Sequence, residues 1–235
     1  MQLVSDRGVW QGQANCVNCT LRHSVLFAAL QAQEFGQIHQ PIDLYSLLPG
    51  SLLYRAGDRG GRLFTIRSGI LKLVRYLPDG TQRIVRLLRA TDLAGLEALL
   101  GQPYQHDAVV LRATEACSLP ASVVQALSQT NAALYQELLQ RWQQAWKEAD
   151  SWLTELCTGS ARQRVARLLL RLVRDGEHSE CTLFSCEDMG AMLSITTETA
   201  SRNIADFKRK RLLTERGANR FHLDTANIKR IAQVG

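Results

Sequence analysis

Short apolar segments alternate with turn residues between Leu47 and Ala121. The turns include Pro49-Gly50, Ser68-Gly69 and Pro78-Asp79-Gly80. Apolar runs of strand length separated by such turns are typical of antiparallel hairpins, and small domains built from them close as barrels or double-sheet jelly rolls. The pattern therefore predicts an all-β domain in which one hairpin turns at Ser68-Gly69 and the next at Pro78-Asp79-Gly80.

The pattern becomes helical between Asn131 and Cys157, where apolar residues recur every three or four positions without proline or glycine. A stripe that alternates three and four residues is what a two-stranded coiled coil requires. The alternative is that the stripe packs on the chain's own β domain, and Trp146 and Leu153 widen it beyond a narrow seam. We predict a homodimer whose helices meet through Leu138, Trp142, Ala145, Ala149 and Trp152.

A pair of helices with a tight connection is predicted nearer the C-terminus. Ser185 and Thr196 are suitable N-caps for two helices that end near Leu193 and Arg211, respectively. Two helices joined by so short a turn, with the second presenting its first side chains outward, form the helix-turn-helix arrangement whose second helix enters the DNA major groove. A β-hairpin predicted over residues 213–223 would be the wing beside it.

The same third of the chain is strongly basic. From Ser160 to Gly235, fourteen Lys or Arg residues stand against nine Asp or Glu, so nearly all of the formal net charge of +6 lies there. Basic surfaces of this kind attract nucleic-acid phosphates. This region also contains a predicted helix from Ala161 to Val173, with a C-cap at Asp175-Gly176, and a predicted strand over residues 181–184. The charge and the helix pair together predict binding to double-stranded DNA.

The second helix of the pair carries side chains suited to reading bases. Arg202 can form a bidentate contact to guanine, Glu198 can accept from the cytosine amine, and Ser201 can bond a base edge or a phosphate. Positions i, i+3 and i+4 share one helix face, so all three side chains can reach one groove. We predict base contacts at the start of this helix and phosphate contacts near its end; the residues assigned are Thr197, Glu198, Ser201, Arg202, Lys208 and Arg209.

Six cysteines raise the question of metal or redox chemistry. The first fifteen residues lack the features of a secretion signal, and no apolar run is long enough to span a membrane. We therefore expect a cytoplasmic protein without membrane contact, whose thiols stay reduced. Cys16 and Cys19 form a close pair, and clustered cysteines in such a protein favour metal binding or redox chemistry. Because Arg22 is near, the pair could be a dithiol switch.

Together these motifs resemble the CRP/FNR superfamily of bacterial regulators along nearly the whole chain. The segment from Thr197 to Arg202 (TETASR) looks like the family's recognition-helix motif, and the segment from Gly50 to Gly69 is similar to its β-roll. The resemblance implies a homodimer, a palindromic operator and contact with RNA polymerase. It also implies an α+β fold: an N-terminal jelly-roll sensor of the cyclic-nucleotide-binding type, a long dimerisation helix and a C-terminal winged helix-turn-helix.

The resemblance also indicates whether a cyclic nucleotide is the small molecule that controls the protein. Cyclic-nucleotide binders hold ribose and phosphate with a Gly-Glu pair and an Arg-Ser pair, whereas this sequence has Gly95-Leu96-Glu97 and His106-Asp107 in the corresponding region. A bound phosphate would lack its arginine, so cyclic AMP is not expected.

The FNR branch of the superfamily instead holds an oxygen-labile [4Fe-4S] cluster with four cysteines. Three of them have similar counterparts here, namely Cys16, Cys19 and Cys117. Val25 stands where that branch has its remaining cysteine, and His23 is the nearest substitute, ahead of Asp43 or water. Histidine replaces cysteine in some iron-sulfur centres. The resemblance therefore implies a cluster at the three cysteines and His23.

The sequence thus predicts a DNA-binding regulator controlled by an iron-sulfur cluster. One alternative is a tetrahedral zinc site at Cys16, Cys19, His23 and Cys117. The others are a thiol switch or another small-molecule effector in place of the cluster. A metal-dependent enzyme is the rival class, but a glycine-rich phosphate loop, paired catalytic carboxylates and a nucleophile elbow are all missing from the sequence. The predicted parts are an N-terminal cysteine-containing segment (1–28), a β-roll sensor (29–128), a dimerisation helix (129–158) and a DNA-binding domain (159–235).

Overall fold

Two compact units make up the chain in this computed structural model. The structure describes residues 8–14, 19, 21, 26, 42–174, 179–217 and 219–233. Contacts group Met1–Arg75 with Val85–Lys147 in the first unit, and Tyr76–Ile84 with Glu148–Gly235 in the second. Strands dominate the described part of the first unit and helices that of the second, so the predicted α+β class is confirmed.

An antiparallel sheet forms the β domain. Its strands are β1 (Gly8–Gln13), β2 (Asp43–Leu47), β3 (Leu52–Tyr54), β4 (Arg62–Tyr76), β5 (Gln82–Leu88), β6 (Leu93–Ala94) and β7 (Asp107–Pro120). They lie in the order β1-β2-β7-β4-β5, with β3 also paired to β7 and β6 to β4. Strand β7 is central, since it pairs antiparallel with β2, β3 and β4.

One of the two predicted hairpins is present, whereas the prediction of the other is wrong. The chain turns at residues 78–80, where the Leu77 and Thr81 backbones are joined by a 2.9 Å hydrogen bond. It does not turn at Ser68-Gly69, because β4 runs through these residues as one strand with irregular register. Gly69 has a φ of +85°, and a side chain there would collide with the carbonyl oxygen of Ala113 on β7. This glycine marks a close backbone approach inside a strand and not a reversal.

The core of the first unit combines strand residues with helices that follow the sheet. Tyr54 stacks on Tyr104 with ring centroids 4.0 Å apart. Helix α1 (Ala121–Thr130) contributes Val124 and Leu127 to this core. A short 3-10 helix (Leu96–Leu100) packs against α1.

The predicted long helix is confirmed. Helix α2 (Ala132–Ser151) continues directly into a π-helical turn (Trp152–Leu156). Its Leu134 and Leu138 belong to the core of the first unit. One stripe of α2 therefore packs on the chain's own β domain, as the alternative interpretation of its sequence pattern expected.

The second unit confirms the predicted helix pair and wing. Its elements are α3 (Ala161–Arg174), β8 (Glu180–Thr182), α4 (Cys186–Leu193), α5 (Thr197–Arg209), β9 (Leu213–Gly217), β10 (Arg220–Leu223) and α6 (Thr225–Gln233). The three strands form an antiparallel sheet in the order β8-β10-β9. The C-cap that the sequence suggests for α3, at Asp175-Gly176, lies outside the described residues. Among the described helices, none is long and apolar enough to cross a membrane.

Candidate nucleic-acid interface and sensor cysteines

Local capping fixes the start of both helices in the pair. The Ser185 hydroxyl accepts a hydrogen bond from the Asp188 amide at 3.0 Å, and the Thr196 hydroxyl accepts from the Thr199 amide at 3.2 Å. These are the N-cap contacts that the sequence predicts. Ser194, at the end of α4, adopts a φ of +57° and turns the chain toward α5.

Close packing and one arginine hold the turn between α4 and α5. A side chain at Gly190 would place its Cβ 2.8 Å from the carbonyl oxygen of Ile195, so only glycine fits without a shift. Arg164 of α3 donates to the carbonyl of Leu193 at 2.6 Å. That carbonyl is at the C-terminal end of α4, where the helix dipole also favours a cation. Arg164 thus fixes the geometry of the turn.

Helix α5 has one buried face and one exposed face. Ala200, Ile204 and Phe207 are buried. The exposed face carries every residue that the sequence assigns to DNA contacts, namely Thr197, Glu198, Ser201, Arg202, Lys208 and Arg209. These side chains are thus available to a ligand outside the unit.

Glu198 is held in its ionised form. Its own backbone N–H lowers the pKa of the carboxyl most, followed by the Thr196 hydroxyl and the Arg202 charge. An ionised carboxylate accepts hydrogen bonds and cannot donate them. Glu198 is thus suited to accept from a cytosine amine, whereas the adjacent Arg202 can donate to guanine.

The cations at the end of α5 contact other side chains of the same chain. Lys208 Nζ lies 4.4 Å from the centroid of the Phe221 ring. Arg209 Nη2 lies 2.5 Å from a carboxylate oxygen of Asp206, and Lys210 Nζ lies 3.1 Å from the other. Sequence reasoning missed Asp206, although its spacing of three and four residues from these cations is the spacing of helical ion pairs.

Four arginines of α3 also have intramolecular partners. Arg162 pairs with Asp206, Arg164 caps α4, Arg167 donates to the carbonyl of Thr158 at 2.8 Å, and Arg171 lies 3.9 Å from Glu148. The excess positive charge of this region therefore overstates the charge available to phosphates, because part of it organises the unit.

The stripe of α2 that stays exposed differs from the predicted seam. Leu138 is 6% exposed in the core of the first unit, and Trp152 is 5% exposed under the guanidinium of Arg171. Trp142 and Ala149 are exposed, and Ala145 is half-buried. The large apolar side chains that remain exposed along this helix are Tyr135, Leu139, Trp142, Trp146 and Leu153.

The cysteines assigned to a metal or cluster are only partly described. Cys16 and His23 lie outside the described residues, whereas Cys19 and Cys117 are both partly exposed. Cys117 is on the central strand β7, opposite Leu44 of β2 and Thr65 of β4. Within the described ranges, no three His, Cys, Asp or Glu side chains come close enough to hold a metal ion. The four-residue site stays a prediction.

Asp43 is disfavoured as a fourth ligand. Its carboxylate lies 2.9 Å from Arg62 Nη2 and accepts from the Trp10 indole at 3.2 Å. Asp43 is also opposite Ser118 in the β2–β7 register, one residue from Cys117. Successive side chains of a strand point to opposite faces, so Asp43 and Cys117 face opposite sides of the sheet.

Both units match families of known domains. Residues 45–131 match the family described as "Cyclic nucleotide-binding domain", and residues 163–231 match the "Crp-like helix-turn-helix domain". The chain is 26% identical over 227 residues to the fumarate and nitrate reduction regulatory protein of Vibrio cholerae, covering 94% of this chain and 91% of that protein. It is 25% identical over 227 residues to the transcriptional activator protein anr of Pseudomonas aeruginosa, covering 94% and 93%.

This chain belongs to the CRP/FNR superfamily. It is a DNA-binding transcription regulator and not an enzyme, because the superfamily consists of regulators. The helix pair and wing described above lie within the residues that match the Crp-like helix-turn-helix domain.

This CRP/FNR regulator has the same fold as several proteins of known structure. FixK2 from Bradyrhizobium japonicum has a TM-score of 0.75 at 20% identity, covering 83% of this chain and 98% of that one. A CooA mutant from Carboxydothermus hydrogenoformans has a TM-score of 0.69 at 15% identity, covering 98% of both chains. The second match spans nearly the whole chain and therefore includes both units.

Proposed function

We propose that this CRP/FNR regulator binds a palindromic operator as a homodimer in the cytoplasm and contacts RNA polymerase there. Its DNA affinity is controlled by an iron-sulfur cluster bound to Cys16, Cys19, Cys117 and His23. The exposed face of α5 is the observation that carries the DNA-binding part of this proposal. The relative from Vibrio cholerae supports control by a redox signal, because its name refers to fumarate and nitrate reduction.

The base contacts are assigned to the start of α5. Glu198, Ser201 and Arg202 are all exposed on one face, and Thr197 precedes them. A bidentate arginine–guanine contact and a glutamate–cytosine contact each contribute on the order of 1–3 kcal/mol of discrimination against the wrong base. Lys208 and Arg209 are assigned to phosphates, which position a helix without reading sequence.

The homodimer is assigned to the exposed stripe of α2 and of the π-helical turn that follows it. Successive residues of this stripe are separated by four, three, four, three and four positions in the sequence. They are Tyr135, Leu139, Trp142, Trp146, Ala149 and Leu153. This is the spacing of a two-stranded coiled coil, and a contiguous exposed apolar stripe marks a protein interface. Leu138 and Trp152 therefore support α2 from its buried side and do not face the partner.

The cluster is assigned on the chemistry of its donors. Cys16, Cys19, Cys117 and His23 would hold the cluster, because thiolates bind iron-sulfur clusters and imidazole replaces thiolate in some of them. The bound cluster would supply an oxygen-sensitive redox group. Cys117 is fixed by the central strand, whereas the other three donors come from the N-terminal segment. The state of the group held by these residues would shift the population between DNA-competent and incompetent dimers.

Zinc is the second candidate for the same donors. Val25 stands where the cluster-binding pattern has a cysteine, and three cysteines with one histidine form a standard tetrahedral zinc site. Zinc would be redox-silent, so it predicts a regulator that does not respond to air.

Anaerobic purification of the full chain separates these candidates. We expect about four iron and four acid-labile sulfide per protomer, the stoichiometry of the cluster type, with a visible absorption band that air bleaches. Cys117→Ser should abolish the band, whereas Cys157→Ser should not, because Cys157 is an exposed cysteine outside the proposed donor set. Binding to operators selected from random duplexes should be strong under anaerobic conditions and weak after air exposure. A colourless protein with stoichiometric zinc would refute the cluster.

A further inference from the structure

A single carboxylate near the end of α5 holds several cations. Asp206 lies 2.5 Å from Arg209 Nη2 and 3.1 Å from Lys210 Nζ, and it also pairs with Arg162 of α3. The Asp206 side chain is only 15% exposed, whereas those of Arg209 and Lys210 are 77% and 53% exposed. The carboxylate is therefore mostly covered, and two of its partners face outward.

The position of Asp206 is fixed independently of the two outward cations. Arg162 approaches it from α3, and the same guanidinium lies 5.0 Å from the ring centroid of Phe207. Phe207 is fully buried. If Arg209 and Lys210 turned toward another anion, Asp206 would thus keep one partner and stay in place.

Arg209 is one of the two residues assigned above to phosphates, and Lys210 follows it at the same basic end of α5. A phosphate that attracts Arg209 or Lys210 must compete with a carboxylate already within hydrogen-bond distance of them. Arg162, then Lys210 and Arg209, lower the pKa of Asp206 to about 2, so the competitor stays ionised at neutral pH.

We infer that Asp206 is a specificity-determining residue of the DNA interface, because it restrains Arg209 and Lys210 and so weakens the sequence-independent attraction to phosphates. Base contacts by Glu198 and Arg202 then account for a larger share of operator affinity. This inference rests on the proposed DNA contacts of α5. It adds Asp206 to those contacts as a residue that does not touch DNA and acts by restraining Arg209 and Lys210.

The salt dependence of binding tests this inference. D206N keeps the shape of the side chain but removes its charge, and the full-length variant is titrated with an unrelated duplex and with an operator selected by the wild-type protein. Each additional phosphate contact steepens the plot of log K against log salt by about 0.9. We expect the slope on the unrelated duplex to steepen by about one to two per protomer, and the ratio of operator to unrelated affinity to fall several-fold.

E137Q is the matched control. Glu137 is paired with Arg141 four residues along α2, and its side chain is 20% exposed, so this variant also removes a paired carboxylate and makes the net charge more positive by one. Its salt slope should match that of the wild type. A triple variant, D206N/R209Q/K210Q, should lose the additional slope, because the released cations are then absent.

Two results would overturn the inference while leaving the proposed function intact. One is an unchanged slope for D206N with equal losses of affinity for both duplexes, which would give Asp206 a purely structural role. The other comes from R209Q/K210Q, which is titrated instead if D206N does not fold. We expect its salt slope to change by less than about one, because Asp206 already holds both charges. A slope that becomes shallower by about two would contradict the inference. A wild-type protein that binds neither duplex would refute the inference and the proposed function together.

Discussion

The guanidinium of Arg171 lies 5.5 Å from the centroid of the Trp152 ring. Trp152 begins the π-helical turn that ends the long helix, and Arg171 is on α3. The same arginine is 3.9 Å from Glu148, and one turn earlier on α3 Arg167 donates to the Glu155 carbonyl at 3.1 Å. Helix α3 thus holds the end of the long helix within the second unit through two arginines.

Replacing Arg171 with alanine should destabilise the second unit. The variant loses a cation–π contact, an ion pair and the packing of the arginine stem on Trp152, and a partly desolvated cation–π contact alone contributes about 1–2 kcal/mol. Arg171→Lys should recover part of the loss, because it retains the charge but not the planar group. The measurement is the free energy of urea unfolding. Equal stability of all three proteins would show that this contact is energetically neutral.

The helix-turn-helix was predictable because its signals are local. Ser185 and Thr196 cap the helices that follow them, and the residues that satisfy those caps are only three positions away. A hydroxyl at an N-cap stabilises the helix wherever the helix later packs. The hairpin at residues 78–80 was predictable for the same reason.

Features set by distant packing were not predictable. The sequence pattern indicates a turn at Gly69, but the close approach of Ala113 on another strand explains this glycine. The period of α2 identifies two adjacent apolar stripes, and it cannot show that Leu138 packs on the β domain whereas Leu139 stays exposed. A charge count likewise cannot show which cations already have partners within the chain, as Arg209 has in Asp206.

Gly190→Ala should be destabilising even though alanine is the better helix former. In an exposed helix this substitution stabilises by up to about 1 kcal/mol, but here the new Cβ would be 2.8 Å from the Ile195 carbonyl oxygen. Overpacking of this kind costs about 1–3 kcal/mol, and the displaced turn should also weaken operator binding. Gly217→Ala is the control, because a Cβ added there would have no other atom within 4 Å. A stabilised Gly190→Ala would contradict the close contact.

Trp146→Glu should convert the dimer into monomers. Trp146 is 73% exposed on the proposed dimer stripe, so the variant buries a carboxylate in the interface without disturbing the core of the first unit. Gln140→Glu adds the same charge at an exposed position of α2 outside that stripe and should leave the dimer intact. Sedimentation equilibrium measures both masses. A Trp146→Glu protein that keeps the wild-type mass would refute the assignment of the stripe.

Asp206 should make the stability of the second unit depend on pH in acid. The pKa of Asp206 is lowered from its ordinary value of 3.8 to about 2 by Arg162, Lys210 and Arg209. A carboxyl whose pKa is lower in the folded than in the unfolded state contributes stability above the unfolded value, and this contribution is lost as the pH falls through the folded value. The difference in Tm between the wild type and D206N should therefore be constant from pH 7 to about pH 5 and shrink between about pH 4 and pH 2. Thermal unfolding across this range measures this difference. A difference that stays constant down to pH 2 would show that the ion pairs of Asp206 do not contribute to folding.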